Sequence, residues 1–263
     1  MIDDALIALA NELADAARGE TMPRWRGAGA SRNKSGNGSY DPVTEADIAS
    51  EQAMRRLIKM HRPEDGIAGE EMPDRPSTSG WTWSLDPIDG TRSFVCGMPS
   101  WVTLIGLIRD GDPVLGIIDA PRLGERYIGH GTTGTLTDGD GTHQLAVSTC
   151  TRLDEARFSA TDPAMFRGKE SDAFEAIKNK VRTIRFGHDG YAYARLAAGS
   201  IDLVVEAGLK PFDYNALIPV IRAAGGFVGN WHGESDLTTG QIVAAATRPL
   251  FEEAVRILEA AAR

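Results

Sequence analysis

The sequence has few cysteines, no long apolar run and no excess of positive charge, and each absence excludes a class of protein. Its 263 residues include two cysteines, Cys96 and Cys150, and no Cys-x-x-Cys pair, which indicates a reducing compartment and no disulfide framework. No segment approaches the ~20 apolar residues of a membrane-spanning helix. The first residues, Met1-Ile2-Asp3-Asp4, lack the basic and apolar regions of a secretion signal. We therefore expect a cytoplasmic protein without a membrane partner.

Positive charge and paired histidines are also scarce. The formal net charge is -9 at pH 7, which disfavours binding to a nucleic-acid backbone, although bound metal ions could still attract an anionic substrate. None of the five histidines forms a His-x-His or His-x-x-x-His pair, so no zinc site is expected. The composition, 42% hydrophobic and 25% charged, is that of an ordinary globular protein.

The hydrophobic pattern alternates helices and strands. It predicts helices over 2–19, 44–60, 190–198, 214–224 and from Thr247 to the C-terminus. It predicts strands over 81–85, 100–109, 113–119, 126–128, 182–186, 201–206, 227–231 and 241–246. Gly111-Asp112-Pro113 should join two of these strands in an antiparallel hairpin, whereas the Gly/Thr/Asp-rich stretch 129–142 is expected to be a turn or loop.

Strands paired by hairpins and covered by helices indicate a layered α/β sandwich with mixed and antiparallel sheets. We expect an N-terminal α+β part, residues 1–145, and a C-terminal α/β part, residues 146–263, that form one compact unit. The Gly/Ser/Asn-rich residues 27–40 are predicted to be a loop that covers the functional site and carries Lys34 towards it.

Four acidic stretches carry the candidate chemistry. The most informative is Asp86-Pro87-Ile88-Asp89-Gly90-Thr91, in which two carboxylates lie three residues apart and a Gly-Thr pair is well suited to open a helix. Carboxylates suit hard divalent cations such as Mg²⁺, and the free N–H groups of a helix N-terminus suit a phosphate. The other three stretches are Asp41-Pro42-Val43-Thr44-Glu45-Ala46-Asp47, Gly69-Glu70-Glu71 and Pro211-Phe212-Asp213.

Each acidic residue also has a simpler explanation. Asp47 and Asp213 could each only cap a helix, and Asp86 could only start a turn. Glu70 and Glu71 could be solvated surface charges. The joint occurrence of these residues is harder to explain in this way, because adjacent carboxylates repel one another unless a cation or water separates them.

The acidic blocks, in this order, resemble those of the inositol monophosphatase superfamily of magnesium-dependent, lithium-sensitive phosphatases. The resemblance covers nearly the whole chain. It implies the fold of that family, with alternating α-β-α-β-α layers, a homodimer and two or three Mg²⁺ ions per site. By resemblance, Glu70, Asp86 and the carbonyl of Ile88 hold the first ion, and Asp86, Asp89 and Asp213 hold the second. A third ion would be bound by Glu70 through waters.

The same resemblance implies how the site works. Thr91, backed by Asp47, orients the nucleophilic water together with Glu70, and the backbone N–H groups of Gly90 and Thr91 hold phosphate oxygens. One metal ion activates the water and the other stabilises the leaving alkoxide. No covalent phospho-enzyme is needed.

Two segments bear on the substrate, which we expect to be a small-molecule phosphate monoester. Arg92-Ser93-Phe94 and Phe212-Asp213-Tyr214-Asn215 are more similar to the histidinol-phosphatase branch than to the inositol branch, which tends to carry Thr-Asn-Phe and Trp-Asp. Histidinol phosphate carries an ammonium and an imidazole, which Asp189 and Glu206 could meet. Arg92 is a third candidate substrate contact.

Several alternatives stay open at this point. Asp189 could equally be a turn residue in Gly187-His188-Asp189-Gly190, and His188 could line the substrate pocket or be solvated. His188-Asp189-Gly190 also departs from the Gly-Asp-Cys expected in that branch. The sequence predicts a histidinol-phosphate phosphatase, with an inositol-1-phosphatase or a broad sugar-phosphate phosphatase as the alternative. A non-catalytic metal-binding relative is the third interpretation, but such a relative would be expected to lack one of the metal ligands.

Overall fold

Two large sheets, a two-stranded antiparallel sheet of β1 (Arg32–Asn33) and β2 (Pro42–Val43), and three layers of helices are described in a computed structural model that covers residues 2–27, 32–33 and 42–262. The helices are α1 (Asp4–Thr21), α2 (Glu45–His61), α3 (Thr91–Val95), α4 (Lys169–Lys178), α5 (Gly190–Ala197), α6 (Pro211–Tyr214), α7 (Leu217–Ala223) and α8 (Arg248–Ala262). The strands are β1 (Arg32–Asn33), β2 (Pro42–Val43), β3 (Gly66–Gly69), β4 (Trp81–Asp89), β5 (Val102–Arg109), β6 (Asp112–Ala120), β7 (Glu125–His130), β8 (Thr133–Asp138), β9 (Gly141–Gln144), β10 (Arg157–Ala160), β11 (Thr183–Phe186), β12 (Leu203–Glu206), β13 (Phe227–Gly229) and β14 (Ile242–Ala245). Asp41, Lys34 and most of the predicted covering loop lie outside the described residues.

The larger sheet has seven strands in the order β3-β4-β5-β6-β7-β8-β9. The β3–β4 pair is parallel, and the following pairs are antiparallel. Helices α1 and α2 cover one face, where apolar side chains of both helices pack against the apolar residues of β4, β5 and β6, among them Leu13, Met54, Trp83 and Ile105. Helix α2 begins at the predicted place, because Thr44 and Asp47 form a capping box around its first turn.

The smaller sheet has five strands in the order β11-β10-β12-β14-β13. Strand β10 runs parallel to β11 and β12, whereas β14 is antiparallel to β12 and β13. Helices α4 and α8 pack together on its outer face, over a core that includes Phe158, Phe174, Val243 and Leu258.

Helices α5 and α7 lie between the two sheets, and their apolar residues form one core with residues of both, such as Ile118 and Ala244. Helix α7 approaches the larger sheet very closely. A Cβ at Gly116 would overlap the carbonyl of Ala216, and one at Gly129 would overlap the backbone of Val220, so glycine is required at both positions. The layers therefore run α-β-α-β-α, with mixed and antiparallel sheets, and the predicted fold class is confirmed.

One local prediction is wrong, and one predicted helix begins later than expected. The stretch 129–142 is not a loop, because it contributes β8 and β9 to the edge of the larger sheet. Strand β9 is exposed along its whole length, so it has no alternation of apolar residues that could reveal it. The predicted helix 214–224 corresponds to α7, which begins at Leu217, whereas α6 ends at Tyr214. Asn215 and Ala216, between the two helices, keep helical backbone angles, but Pro219 has no N–H to donate to the carbonyl of Asn215, which explains the gap in the hydrogen-bond pattern.

The larger sheet draws its strands from residues 66–144 and the smaller sheet from residues 157–245. Helices α5 and α7, which follow the smaller sheet's first strands in sequence, also pack on the larger sheet. The division at residue 145 stays a prediction. Across the described ranges, no helix combines the length and the apolar character needed to cross a membrane.

Candidate active site

Three carboxylates converge where the larger sheet meets helix α6. Asp86, Asp89 and Asp213 each offer an oxygen, and these oxygens all lie within 4.8 Å of one another. The first two residues belong to the end of β4 and the third to α6. The structure thus brings together three of the predicted metal ligands from segments more than a hundred residues apart.

An irregularity in the sheet explains how Asp86 and Asp89 face the same side. Residues three apart on a regular strand point to opposite faces. Here Asp86 pairs with Leu104 and Asp89 with Val102, so two residues of β4 lie opposite one residue of β5, and this bulge changes the direction of the strand. The buried Thr103 fixes the bulge, since its hydroxyl donates a 2.8 Å hydrogen bond to the carbonyl of Pro87.

Asp213 reaches the cluster from the first turn of α6. Its Oδ2 accepts a 2.6 Å hydrogen bond from the backbone N–H of Lys210, which caps the helix, and Pro211 occupies the first helical position. Asp213 therefore caps a helix, as the simpler explanation predicts, and also belongs to the acidic cluster.

The carboxylates of the cluster strongly disfavour each other's charge. Burial, and then the charge of Glu70, raises the pKa of Asp86 well above its usual value, and burial together with the charges of Asp189 and Asp213 does the same to the pKa of Asp89. Burial raises the pKa of Asp213 to about 7, although the Lys210 N–H opposes this. Converging carboxylate oxygens are the ligands that hard divalent cations prefer, and a cation would remove their repulsion. The residues present fit a divalent metal ion.

Glu70 lies beside this cluster, just after β3. Its backbone N–H donates a 3.1 Å hydrogen bond to the carbonyl of Leu85, and its charge raises the pKa values of Asp86 and Asp213. It is not one of the three residues whose oxygens meet within 4.8 Å.

A buried ion pair on α2, which the sequence reasoning missed, supports the segment around Glu70. Glu51 and Arg55 pair at 2.7 Å with side chains that are 0% and 8% exposed. Glu51 accepts a 2.8 Å hydrogen bond from the N–H of Glu71, and Arg55 donates to the carbonyls of Met72 and Pro73, each at 3.0 Å. The four-residue spacing of the two charges was the available signal, but surface helices carry the same spacing.

Asp47 and Thr91 lie near the cluster and each has a defined local contact. The buried Asp47 accepts hydrogen bonds from the N–H and the hydroxyl of Thr44, at 2.8 and 2.6 Å, and its charge contributes to the raised pKa of Asp86. Thr91 donates its hydroxyl to the carbonyl of Ile88 at 3.0 Å. The predicted action of Asp47 through Thr91 on a water stays a prediction.

Gly90 and Thr91 start helix α3 directly after Asp89. Gly90 has φ +85°, in the left-handed region that favours glycine. A Cβ at this position would lie 2.7 Å from Oδ2 of Asp189. The turn predicted to hold phosphate is therefore in contact with a residue predicted to meet the substrate.

A cavity of about 120 Å³ opens next to the acidic cluster. Its lining residues are Asp89, Thr161, Met165, Asp189, Gly190, Tyr193, Glu206, Leu209, Asp213 and Leu217. The structure thus places both predicted substrate carboxylates, Asp189 and Glu206, in one cavity with two of the predicted metal ligands. Arg92 and His188 are not among the lining residues. The side chain of Arg92 is 65% exposed and lies 3.9 Å from Asp162.

Glu206 is buried at the end of β12. Its carboxylate accepts hydrogen bonds from the N–H of Thr161 at 2.9 Å and from the hydroxyl of Tyr193 at 2.8 Å. Burial raises its pKa to about 7, although both donors oppose this rise. Tyr193 and Thr161 were not predicted from the sequence. Tyr193 lies on α5 and Glu206 on β12, so no local spacing in the sequence could have indicated this contact.

The fold and the site together define a layered α/β protein with a carboxylate cluster that fits a divalent cation beside an acidic cavity. Comparison with known proteins narrows this class. A model of the family described as "Inositol monophosphatase family" matches residues 3–263. The chain therefore belongs to the inositol monophosphatase family of phosphatases.

Individual relatives agree with this assignment. The chain is 38% identical to a chloroplastic bifunctional phosphatase of Arabidopsis thaliana, over 97% of this chain and 75% of the relative. It is 34% identical to the histidinol-phosphatase of Mycobacterium tuberculosis, over 92% and 93% of the two chains. A solved inositol monophosphatase from Zymomonas mobilis superposes with a TM-score of 0.83 at 38% identity, covering 96% of this chain and 97% of that one.

Proposed function

We propose that the chain is a Mg²⁺-dependent phosphomonoesterase that hydrolyses L-histidinol phosphate to L-histidinol and phosphate, a step of histidine biosynthesis. The observation that carries this proposal is the shared cavity in which Asp189 and Glu206 lie beside Asp89 and Asp213. An ammonium and an imidazole on the leaving group would meet carboxylates there. A neutral polyol has no charge with which to offset them.

The acidic cluster would hold the metal ions. Asp86, Asp89 and Asp213, with Glu70 and the carbonyl of Ile88, would provide the oxygen ligands of two or three Mg²⁺ ions. When bound, the ions supply an activated water and stabilise negative charge on the reacting oxygens. None of the predicted carboxylate ligands is missing from the sequence, which argues against a non-catalytic relative.

The residues around the cluster would position the reactants. Glu70 and Thr91, with Asp47 behind them, would orient the attacking water. The N–H groups of Gly90 and Thr91 would hold phosphate oxygens, because they open α3 next to Asp89. No covalent intermediate is needed, since the water can attack phosphorus directly while the alkoxide leaves on the opposite side.

The cavity would recognise the leaving group. Asp189 would accept hydrogen bonds from the substrate ammonium, and Glu206 from its imidazole. Each oxygen of Glu206 already accepts one hydrogen bond, which leaves a lone pair on each for the substrate. The side chain of Arg92 is exposed and does not line the cavity, so we expect its contact with the substrate to be the weakest of the three.

A second substrate class is favoured by similarity to the inositol monophosphatase of Zymomonas mobilis, whose 38% identity equals that of the Arabidopsis relative. In this alternative, Glu206 would bind hydroxyl groups of an inositol or sugar phosphate. The lithium sensitivity and the homodimer implied by the family resemblance are part of the same proposal, and they can be measured by inhibition of phosphate release and by sedimentation.

Phosphate release from a substrate panel tests the proposal. The purified protein would receive Mg²⁺ at about 5 mM, a concentration suited to sites that keep several waters. The panel comprises L-histidinol phosphate, myo-inositol-1-phosphate and fructose-1,6-bisphosphate. We expect kcat/KM to favour histidinol phosphate by about 100-fold, or about 2.7 kcal/mol. Equal rates would indicate a broad phosphatase instead, and no release from any substrate would support the non-catalytic reading.

A further inference from the structure

One hydrogen bond connects the phosphate-side helix with the substrate-side carboxylate. Ser93, in α3, donates its hydroxyl to Oδ2 of Asp189 at 3.1 Å, across 96 residues of sequence. We propose that Ser93 is a positioning residue that determines specificity, because it holds the Asp189 carboxylate in the leaving-group cavity for the substrate ammonium. This inference rests on the proposed function, and it adds a residue to which neither the motifs nor the family comparison gave a role.

The backbone of Asp189 is held in an uncommon conformation. Its φ is +47° and its ψ is −141°, a region that residues with a Cβ rarely adopt. Both sides of the residue are fixed, since the N–H of Gly187 donates to the carbonyl of Thr161 at 2.8 Å and the N–H of Gly190 donates to Oδ2 of Asp89. A conformation of this kind persists when the surroundings determine it, and such positions cluster at functional sites.

The side chain of Asp189 is confined as well. Oδ2 would lie 2.7 Å from a Cβ on Gly90, so the carboxylate packs directly on the turn that opens α3. Ser93 lies one turn further along α3 and provides the hydrogen bond. The absence of a side chain at Gly90 therefore lets the Asp189 carboxylate pack against this turn, and the hydrogen bond from Ser93 orients the carboxylate.

The charges around Asp189 explain why a hydroxyl suits this position. Its charge raises the pKa values of Asp89, Glu206 and Asp213, so it lies among carboxylates. Burial raises the pKa of Asp189 itself, and the Ser93 hydrogen bond and the charge of Arg92 oppose this rise. A lysine or arginine at position 93 would neutralise it and take the place of the substrate ammonium. A serine provides a donor without a positive charge, and the carboxylate keeps its attraction for a cationic ligand.

The test compares two substrates that differ in one group. L-histidinol phosphate carries the ammonium, and its deamino analogue, 3-(imidazol-4-yl)propyl phosphate, lacks it. For Ser93→Ala we expect KM for histidinol phosphate to rise about 5- to 10-fold with kcat unchanged, as for the loss of one hydrogen bond used equally in ground and transition states. KM for the deamino analogue should not change. Ser93→Thr, which keeps the hydroxyl, should restore most of the difference.

Two further variants separate the possible causes. Ser100 donates its hydroxyl to the carbonyl of Gly187 at 3.3 Å, so it contacts the same loop but not the carboxylate, and Ser100→Ala should leave both KM values unchanged. Asp189→Asn should raise KM for histidinol phosphate more than Ser93→Ala does. An equal rise for both substrates in Ser93→Ala, or no rise for either, would overturn the inference.

The failure of the proposed function can be recognised separately. If Ser93→Ala behaves as wild type while Asp189→Asn is impaired on histidinol phosphate alone, the role of Ser93 is wrong and the proposed substrate stands. If the wild-type protein does not distinguish histidinol phosphate from its deamino analogue, the ammonium is not recognised and the role of Ser93 is wrong, whereas the proposed function fails only if the substrate panel shows no preference for histidinol phosphate.

Discussion

The metal side and the substrate side of the cavity hold their carboxylates in different ways. On the metal side, backbone N–H groups are the donors, from Ile88 to Asp86, from Gly190 to Asp89 and from Lys210 to Asp213. On the substrate side, side-chain hydroxyls take part, with Ser93 on Asp189 and Tyr193 on Glu206. Backbone donors do not depend on the identity of the residue that supplies them. The metal-side hydrogen bonds therefore do not need a particular side chain on the donor residue, except at Gly190, where a Cβ would lie 2.5 Å from Oδ2 of Asp89, whereas single substitutions can remove the hydroxyl donors of the substrate side.

The largest effect should come from the metal side. Asp86 is buried and would bind both metal ions, so Asp86→Asn should lower kcat by about 1,000-fold or more, because metal activation is worth several kcal/mol. The fold should survive, since the substitution removes a charge that its neighbours disfavour. Phosphate release measures the loss of activity. Thermal unfolding with and without Mg²⁺ shows whether the variant is folded and whether the ion still stabilises it.

Asp112→Asn is the matched control for this substitution. Asp112 is exposed at the start of β6, and its replacement should change neither activity nor the effect of Mg²⁺. Wild-type activity in Asp86→Asn with Mg²⁺ present would show that the assignment of metal ligands is wrong.

The next effect concerns the support of the metal side by α2. Arg55→Ala leaves the buried Glu51 carboxylate without its partner, which should lower the free energy of unfolding by about 3–5 kcal/mol. It should also lower kcat, because the segment that follows Glu70 loses its donors to the carbonyls of Met72 and Pro73. Urea denaturation and initial rates measure the two effects.

An exposed pair with the same spacing provides the comparison. Arg24 and Glu20 lie 2.7 Å apart with side chains 41% and 31% exposed, and Arg24→Ala should cost about 0.5 kcal/mol or less. Similar losses in Arg24→Ala and Arg55→Ala would mean that burial of the Glu51–Arg55 pair does not matter.

The substrate side should show its own dependence on pH. Burial raises the pKa of Glu206 from 4.5 to about 7, so the folded state binds the proton more tightly than the unfolded state does. This contribution to stability is fully present below pH 4.5 and is lost as the pH rises through about 7. Its size is at most about 3 kcal/mol, at about 1.4 kcal/mol per pKa unit.

Glu206→Gln should remove this dependence. The free energy of unfolding of the variant, measured in urea from pH 4 to pH 8, should fall less steeply with pH than that of the wild type, in buffers without Mg²⁺. Parallel curves for the two proteins would show that Glu206 does not titrate differently in the folded and unfolded states.

The sequence predicts the two sides of the site unequally. The spacing of Asp86 and Asp89 and the turn after them lie in one motif, so their neighbourhood can be expected from local pattern, and the layered fold is expected from the order of elements. The bulge that turns both carboxylates to one side depends on the pairing of β4 with β5, which no local pattern specifies. Ser93 and Tyr193 act on residues that only the packing of α3, α5 and β12 brings near, and the exposed edge strand β9 carries no apolar alternation at all.

The smallest effect sharpens the comparison between the two sides most directly. Tyr193→Phe removes only the hydroxyl that donates to Glu206 at 2.8 Å and keeps the buried ring. The substitution should therefore lower the free energy of unfolding by about 1–2 kcal/mol. It should also raise the pKa of Glu206 further, because the hydrogen bond from Tyr193 opposes the effect of burial. KM for histidinol phosphate should increase while kcat and the response to Mg²⁺ stay as in the wild type. Tyr191→Phe serves as the control. Tyr191 lies on the same helix as Tyr193, its hydroxyl donates to Glu125 at 3.0 Å, and its removal should leave KM unchanged.

A loss of Mg²⁺ response in Tyr193→Phe would mean that the two sides are not independent, and that the hydroxyl donors of the substrate side also hold the metal ligands in place.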